Sequence, residues 1–99
     1  MSKEHSWWVY ILRCADGTLY TGMAADVEQR LRVHNEGQGA KYTRSRLPVE
    51  LVYREACESR SAALRREEAI KRLRRPEKLE LVKSGQNSDK ESNLETDNR

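Results

Sequence analysis

Hydrophobic and polar positions change rhythm several times along the 99-residue chain, and each change marks an element. From Trp7 to Cys14 the apolar residues of WWVYIL are consecutive rather than alternating. A strand with that pattern is buried on both faces, which predicts a central place in a sheet. A second strand, about Thr18 to Met23, follows Ala15-Asp16-Gly17. From Val49 to Cys57 the pattern alternates, with Val49, Leu51 and Tyr53 on one side and Glu50, Val52 and Arg54 on the other, which predicts a third strand.

Three segments carry helical signals instead. DVEQRLRVHNEG has Asp26 as N-cap, Gln29 three residues on as its capping-box partner, and Gly37 just past the end. Val27, Leu31 and His34 then share the core-facing stripe, with Arg30 beside it one turn before His34. A long helix runs from a Ser59 or Ser61 cap to Arg75, where Pro76 ends it and opens a short third helix, PEKLELVK. Between the first helix and the third strand lies a glycine-flanked basic loop, GQGAKYTRSR. The order β-β-α-β-α-α describes an α/β (α+β) domain, a small three-stranded antiparallel sheet flanked by three helices. Residues 1–83 form that domain. Residues 84–99 are expected to be a disordered acidic tail, since after Gly85 the stretch QNSDKESNLETDNR offers one apolar residue, Leu94.

The first two strands pose a register question, because each carries a tyrosine, Tyr10 and Tyr20. A two-residue turn at Asp16-Gly17 pairs Tyr10 with Met23 and sends the phenols to opposite faces. A three-residue loop pairs Tyr10 with Gly22 and Tyr20 with Leu12, and both phenols then leave one face as diagonal neighbours. Glycine at the third loop position, where positive φ is wanted, favours the second register, and Gly22 opposite Tyr10 leaves space beside the ring.

Composition narrows the function. One core is all that 99 residues support, so any site is a shallow surface built on it. Lys and Arg number 19 against 16 Asp and Glu, a net +3; the segment from Ser84 carries −2, so the body carries +5, which suits a polyanionic partner. Cys14 and Cys57 stand alone in apolar runs, where both thiols are expected as small buried hydrophobes, against a disulfide framework or a zinc site and in keeping with a reducing compartment. No apolar run approaches the ~20 residues that span a bilayer, and MSKEHSWW lacks a signal-peptide layout, so a cytoplasmic protein is expected.

One carboxylate is out of place. Glu67 has Ala63 and Leu64 one turn before it and Ile70 after it, on the packing face of a basic helix, whereas Glu68 lies among Arg65, Lys71 and Arg72 on a solvated face. A partly buried carboxylate needs a partner, either Arg30, Lys71 or Arg74, or a metal. Two tyrosines, Arg30 and His34, Glu67 and a basic loop match the needs of phosphodiester hydrolysis: a deprotonated water, a cation, a clamp on the phosphate and a proton source. Mg²⁺ binds through as few as one or two carboxylates, so a single Glu suffices.

These residues resemble the GIY-YIG nuclease domain, in its small stand-alone bacterial form, over about residues 7–82. "VYI" at 9–11 stands for GIY and "YTG" at 20–22 for YIG. The helix with Arg30 and His34, then GAKYTRSRLPVELVY, then ALRREEAIK with Glu67 follow in the family's order. The resemblance implies hydrolysis of DNA, with RNA as the alternative, using one divalent ion, Mg²⁺ or Mn²⁺. It makes Glu67 the metal ligand, Arg30 the phosphate clamp, Tyr10 the general base or water-orienting group, Tyr20 its support, and His34 a proton relay or a brace for Tyr20. A basic Tyr10 would need nearby positive charge to lower its pKa. Val9 replaces the first glycine of GIY and Thr21 the isoleucine of YIG, both with side chains expected to point away from the tyrosine face. The region after Glu67, RLRRPEKLE, lacks the asparagine some members place near the metal.

Lys41, Arg44 and Arg46, with Tyr42 for stacking and Lys71 beside Glu67, are the expected nucleic-acid contacts. The reading is a metal-dependent endonuclease of low sequence specificity acting in DNA repair or turnover, any specificity coming from a partner protein. The alternative is a nucleic-acid-binding module of the same fold with little catalysis.

Overall fold

The computed structural model describes residues 7–85. Three strands, β1 (Trp7–Arg13), β2 (Leu19–Ala24) and β3 (Glu50–Cys57), form one antiparallel sheet in the order β2-β1-β3, so the continuous apolar strand is central. Around it lie α1 (Val27–Asn35), a single turn α2 (Lys41–Arg44), α3 (Arg60–Lys71) and α4 over residues 75–85. The expected α+β order is present, with α2 added inside the basic loop, where the amides of Thr43 and Arg44 both reach the Ala40 carbonyl.

Burial on both faces of β1 splits the core in two. Val9 and Ile11 join Ala63 and Ile70 of α3 and Val82 of α4; Tyr10, Leu12 and Cys14 join Val27 of α1 and Val49 on the other side. The hairpin takes the three-residue register: Tyr10 pairs with Gly22 and Leu12 with Tyr20. Gly17 has φ +88, the left-handed geometry such a loop requires. Asp16 steadies the turn by accepting from the amide and the hydroxyl of Thr18.

Three expectations need correction. β3 does not alternate throughout, because a bulge opposite Ile11 and Leu12 inserts Val52, so Val52 and Tyr53 both turn to the α3 side. α3 stops at Lys71 rather than Arg75: the Leu73 amide closes on Ile70, and the Glu77 carboxylate caps the Arg74 amide at 2.8 Å, starting α4 before Pro76. Cys57 is only half buried. Ser59 is the α3 cap, accepting from the Ala62 amide, and Asp26 caps α1 through the Gln29 amide. Residues 84 and 85 complete α4, and the rest of the expected tail lies outside the described residues. No helix among the described residues is long and apolar enough to cross a membrane.

Candidate active site

Tyr10 is buried, and its ring crosses the backbone of Gly22 toward the β2 edge of the sheet. Its hydroxyl lies 3.2 Å from His34 Nε2. His34, fully buried on the core stripe of α1, places Nδ1 2.9 Å from the Thr43 hydroxyl of α2, and that hydroxyl donates to the Ala40 carbonyl at 3.0 Å. Donor counting orients the chain. The one Thr43 proton is committed to Ala40, so Thr43 accepts from Nδ1–H, Nε2 carries the lone pair, and the Tyr10 hydroxyl donates to it. Gly39 covers the imidazole so closely that a Cβ there would lie 2.3 Å from Nδ1.

The electrostatics agree with a neutral pair. Burial pushes the Tyr10 phenol up to about 12; the neighbouring Tyr20 and Glu67 add to the rise, and Arg30, which lies against the hydroxyl, opposes it. Burial, helped by the Arg30 charge, also holds His34 below the usual imidazole range. The positive charge expected to free Tyr10 of its proton does not outweigh burial.

Glu67 falls between Ala63 and Ile70 on the face of α3 that packs on the sheet, its side chain 13% exposed. Its carboxylate pairs with Lys71 Nζ at 3.2 Å, one of the partners expected from the sequence. Although α3 covers the opposite face from Tyr10, the Tyr10 ring reaches the edge strand, and Glu67 comes close enough to act on its phenol. Among the described residues no three His, Cys, Asp or Glu side chains converge. A lone hard oxygen ligand fits a hydrated Mg²⁺ or Mn²⁺ completed by water and phosphate, and does not fit a zinc centre. The Lys71 side chain is 53% exposed.

Tyr20 meets His34 edge-on at 5.3 Å between centroids and stacks on Tyr42 at 6.0 Å. The Arg46 guanidinium covers Tyr42 at 3.9 Å from the ring centroid and bonds Asp16 of the hairpin turn at 3.0 Å. Of the expected nucleic-acid contacts, Lys41 and Arg44 are exposed, Lys71 borders Glu67, and Tyr42 and Arg46 are engaged with each other. The sequence reading missed Thr43, Gly39 and Asn35, whose side-chain amide bonds both the amide and the carbonyl of Val49 and so ties α1 to the segment entering β3. The motif GAK before Tyr42-Thr43 was the available signal for the first two.

Thr21 and Val9 point away from the tyrosines, as expected, toward α3. Since Tyr10 is the tyrosine of the first tripeptide, that tripeptide occupies residues 8–10. Trp8, half buried under the Arg54 guanidinium on the Tyr10 side, therefore stands in the glycine's place rather than Val9. The Thr21 hydroxyl is buried without a hydrogen-bond partner among the described residues.

In this small α+β domain two tyrosines, an arginine, a histidine and a glutamate from β1, β2, α1 and α3 meet at one sheet edge. Residues 6–80 match the GIY-YIG catalytic domain, and the chain belongs to that family of nucleases. It is similar to the UPF0213 protein of Staphylococcus saprophyticus, 53% identical over 78 residues that cover 79% of this chain and 95% of the relative. A UPF0213 protein of Staphylococcus aureus is 56% identical over the same lengths. Two solution NMR structures share the fold: the UPF0213 protein BH0048 from Bacillus halodurans (47% identity, 78% of this chain and 82% of that one, TM-score 0.51) and the protein EF2693 from E. faecalis (41%, 84% and 86%, TM-score 0.55).

Proposed function

We propose that the domain is a divalent-metal-dependent endonuclease that hydrolyses phosphodiester bonds in DNA, structured or damaged DNA included, with little sequence preference of its own and a role in DNA repair or turnover. The observation that carries this reading is the neutral Tyr10–His34 pair meeting Arg30 and Glu67 at one edge of the sheet. A phenol near 12 is a poor base alone. Joined to a neutral imidazole it accepts a proton as a unit: the attacking water gives a proton to the Tyr10 oxygen while the Tyr10 proton passes to His34 Nε2. The resulting hydroxide attacks phosphorus, the bond from phosphorus to the sugar oxygen breaks, and that oxygen takes up a proton from solvent water while His34 later releases its own. Arg30 stabilises the charge that develops on the phosphate, Tyr20 keeps the imidazole in place, and the Nδ1–H bond to Thr43 stabilises the imidazolium. A Mg²⁺ or Mn²⁺ held by Glu67 would supply charge neutralisation at the phosphate and the leaving oxygen. Lys41, Arg44 and Lys71 hold the backbone on either side. Tyr42 and Arg46 reach nucleic acid only by leaving each other, so their first role is to support Tyr20.

Nicking of supercoiled plasmid in Mg²⁺ or Mn²⁺, with EDTA as blank, tests the reading. Glu67→Ala is expected to lose cleavage by at least about 100-fold while binding DNA normally in metal-free buffer. Salt-sensitive DNA binding by a wild type that never nicks would establish the binding module instead. Equal loss of metal-free binding in Glu67→Ala would make Glu67 structural.

A further inference from the structure

The stretch that joins α3 to α4 carries Arg72, Arg74 and Arg75, all exposed, and no ion pair involves any of them among the described residues. The nearby acid, Glu77, is used by the Arg74 backbone amide. Arg74 and Arg75 also stand at the start of α4, the positive end of a helix, where cations are disfavoured. Arg72 is the C-cap of α3, the negative end of that helix where a cation is favoured, but helix stability does not account for Arg74 and Arg75; a polyanion does.

Their placement is set by the hairpin turn. Arg75 Nη2 donates to the Gly17 carbonyl at 3.1 Å, docking the junction on one side of the turn. On the other, Arg46 reaches Asp16 at 3.0 Å and its carbonyl accepts from the Ala15 amide at 2.9 Å, docking the α2 segment. Ala15-Asp16-Gly17 is thus held between two basic segments, Lys41 and Arg44 on one side and Arg72 and Arg74 on the other. The second begins immediately after Lys71, the partner of Glu67.

The aromatic rings say which polyanion. Single-stranded nucleic acid is held on open aromatic faces. Here an arginine covers each candidate: Arg46 lies over Tyr42, Arg54 over Trp8 and Arg60 over Trp7, at 3.9, 4.9 and 5.7 Å from the ring centroids. The far face of Tyr42 stacks on Tyr20. Among the described residues these three rings present an arginine where a base would stack, and the exposed arginines offer charge for phosphates, which is how duplex backbone is gripped.

We infer that Arg72 and Arg74 bind the phosphate backbone of a duplex nucleic acid, on the opposite side of the hairpin turn from Lys41 and Arg44. The inference rests on the nuclease reading only for the location of the cleaved bond; binding is separable from cleavage.

The test is fluorescence anisotropy of the full chain in EDTA with a labelled duplex of about 20 base pairs and the single strand of the same sequence, across a salt series. Wild type is expected to prefer the duplex. Arg72→Ala/Arg74→Ala is expected to weaken duplex binding by about tenfold or more and to lower the slope of log K against log salt by about 2, one unit per lost phosphate contact. Arg72→Lys/Arg74→Lys should keep that slope. An unchanged slope in the alanine pair, with Lys41→Ala/Arg44→Ala lowering it, overturns the inference and leaves the nuclease reading standing. Equal or tighter binding of the single strand overturns the duplex assignment. A wild type that binds neither overturns both.

Discussion

Tyr10 lies across Gly22, its partner in the sheet register, so closely that a Cβ on Gly22 would stand 2.6 Å from the phenolic oxygen and 2.7 Å from Cζ. The ring is buried, and the contact fixes where its hydroxyl meets His34. Gly22→Ala must therefore move the ring, and a shift of about 1 Å at a reacting group costs on the order of 100-fold in rate. The expected variant is folded, about 1–3 kcal/mol less stable from overpacking, and nearly inactive in plasmid nicking. Full activity in Gly22→Ala would separate Tyr10 from the chemistry.

Thr43 controls which nitrogen of His34 faces Tyr10. Thr43→Val leaves the Nδ1–H buried without an acceptor, at a cost of about 1–3 kcal/mol, and removes the constraint on the tautomer. Cleavage should fall by about tenfold or more and the imidazole ¹⁵N shifts should report a changed tautomer, whereas Thr43→Ser should preserve both. Unaltered imidazole shifts in Thr43→Val would refute the assigned proton positions.

The acid side of the pH profile belongs to His34. Its folded pKa lies below the ordinary 6.5 because of burial and Arg30, so below pH 6.5 the unfolded chain binds more protons than the folded one. The stability held by the neutral ring is complete above that pH and is lost as pH falls through 6.5 toward the folded value. Protonation also removes the lone pair that accepts from Tyr10, so cleavage should drop about tenfold per pH unit below the folded pKa. With Tyr10 at about 12, the phenol imposes no loss up to about pH 10. Thermal midpoints, single-turnover rates and an imidazole ¹⁵N titration over the acid to neutral range check the acid limb, and cleavage that stays level while the folded His34 ring takes up its proton would remove His34 from the proton path.

Thr21 carries a buried hydroxyl with no hydrogen-bond partner among the described residues. Thr21→Val keeps the shape and removes the desolvated group, so a gain of about 1 kcal/mol is expected, a rise of several degrees in Tm for a domain of this size. Calorimetry decides, and a lower Tm would mean that the hydroxyl finds a partner in solution.

Much of the fold was legible because its signals are local. The WWVYIL run put β1 at the centre, glycine at the third loop position selected the register that brings Tyr10 and Tyr20 to one face, and Asp26 and Ser59 capped the helices they precede. The bulge at Val52 escaped, since alternation cannot reveal an extra residue accommodated by a neighbouring strand. So did the early end of α3, decided by Glu77 capping an amide three residues before it.

The sequence by itself determined which residues are available to the site and which elements carry them: period, caps and turn chemistry depend on neighbours within a few positions. Only the tertiary structure decided how the groups act on one another. That Tyr10 donates to His34 follows from the single proton of Thr43, nine residues beyond the histidine, and that Arg46 braces Tyr42 follows from Asp16, thirty residues before it. Hydrogen-bond direction, burial and ion pairing are properties of atoms brought together by packing, and a pattern along the chain holds no record of them.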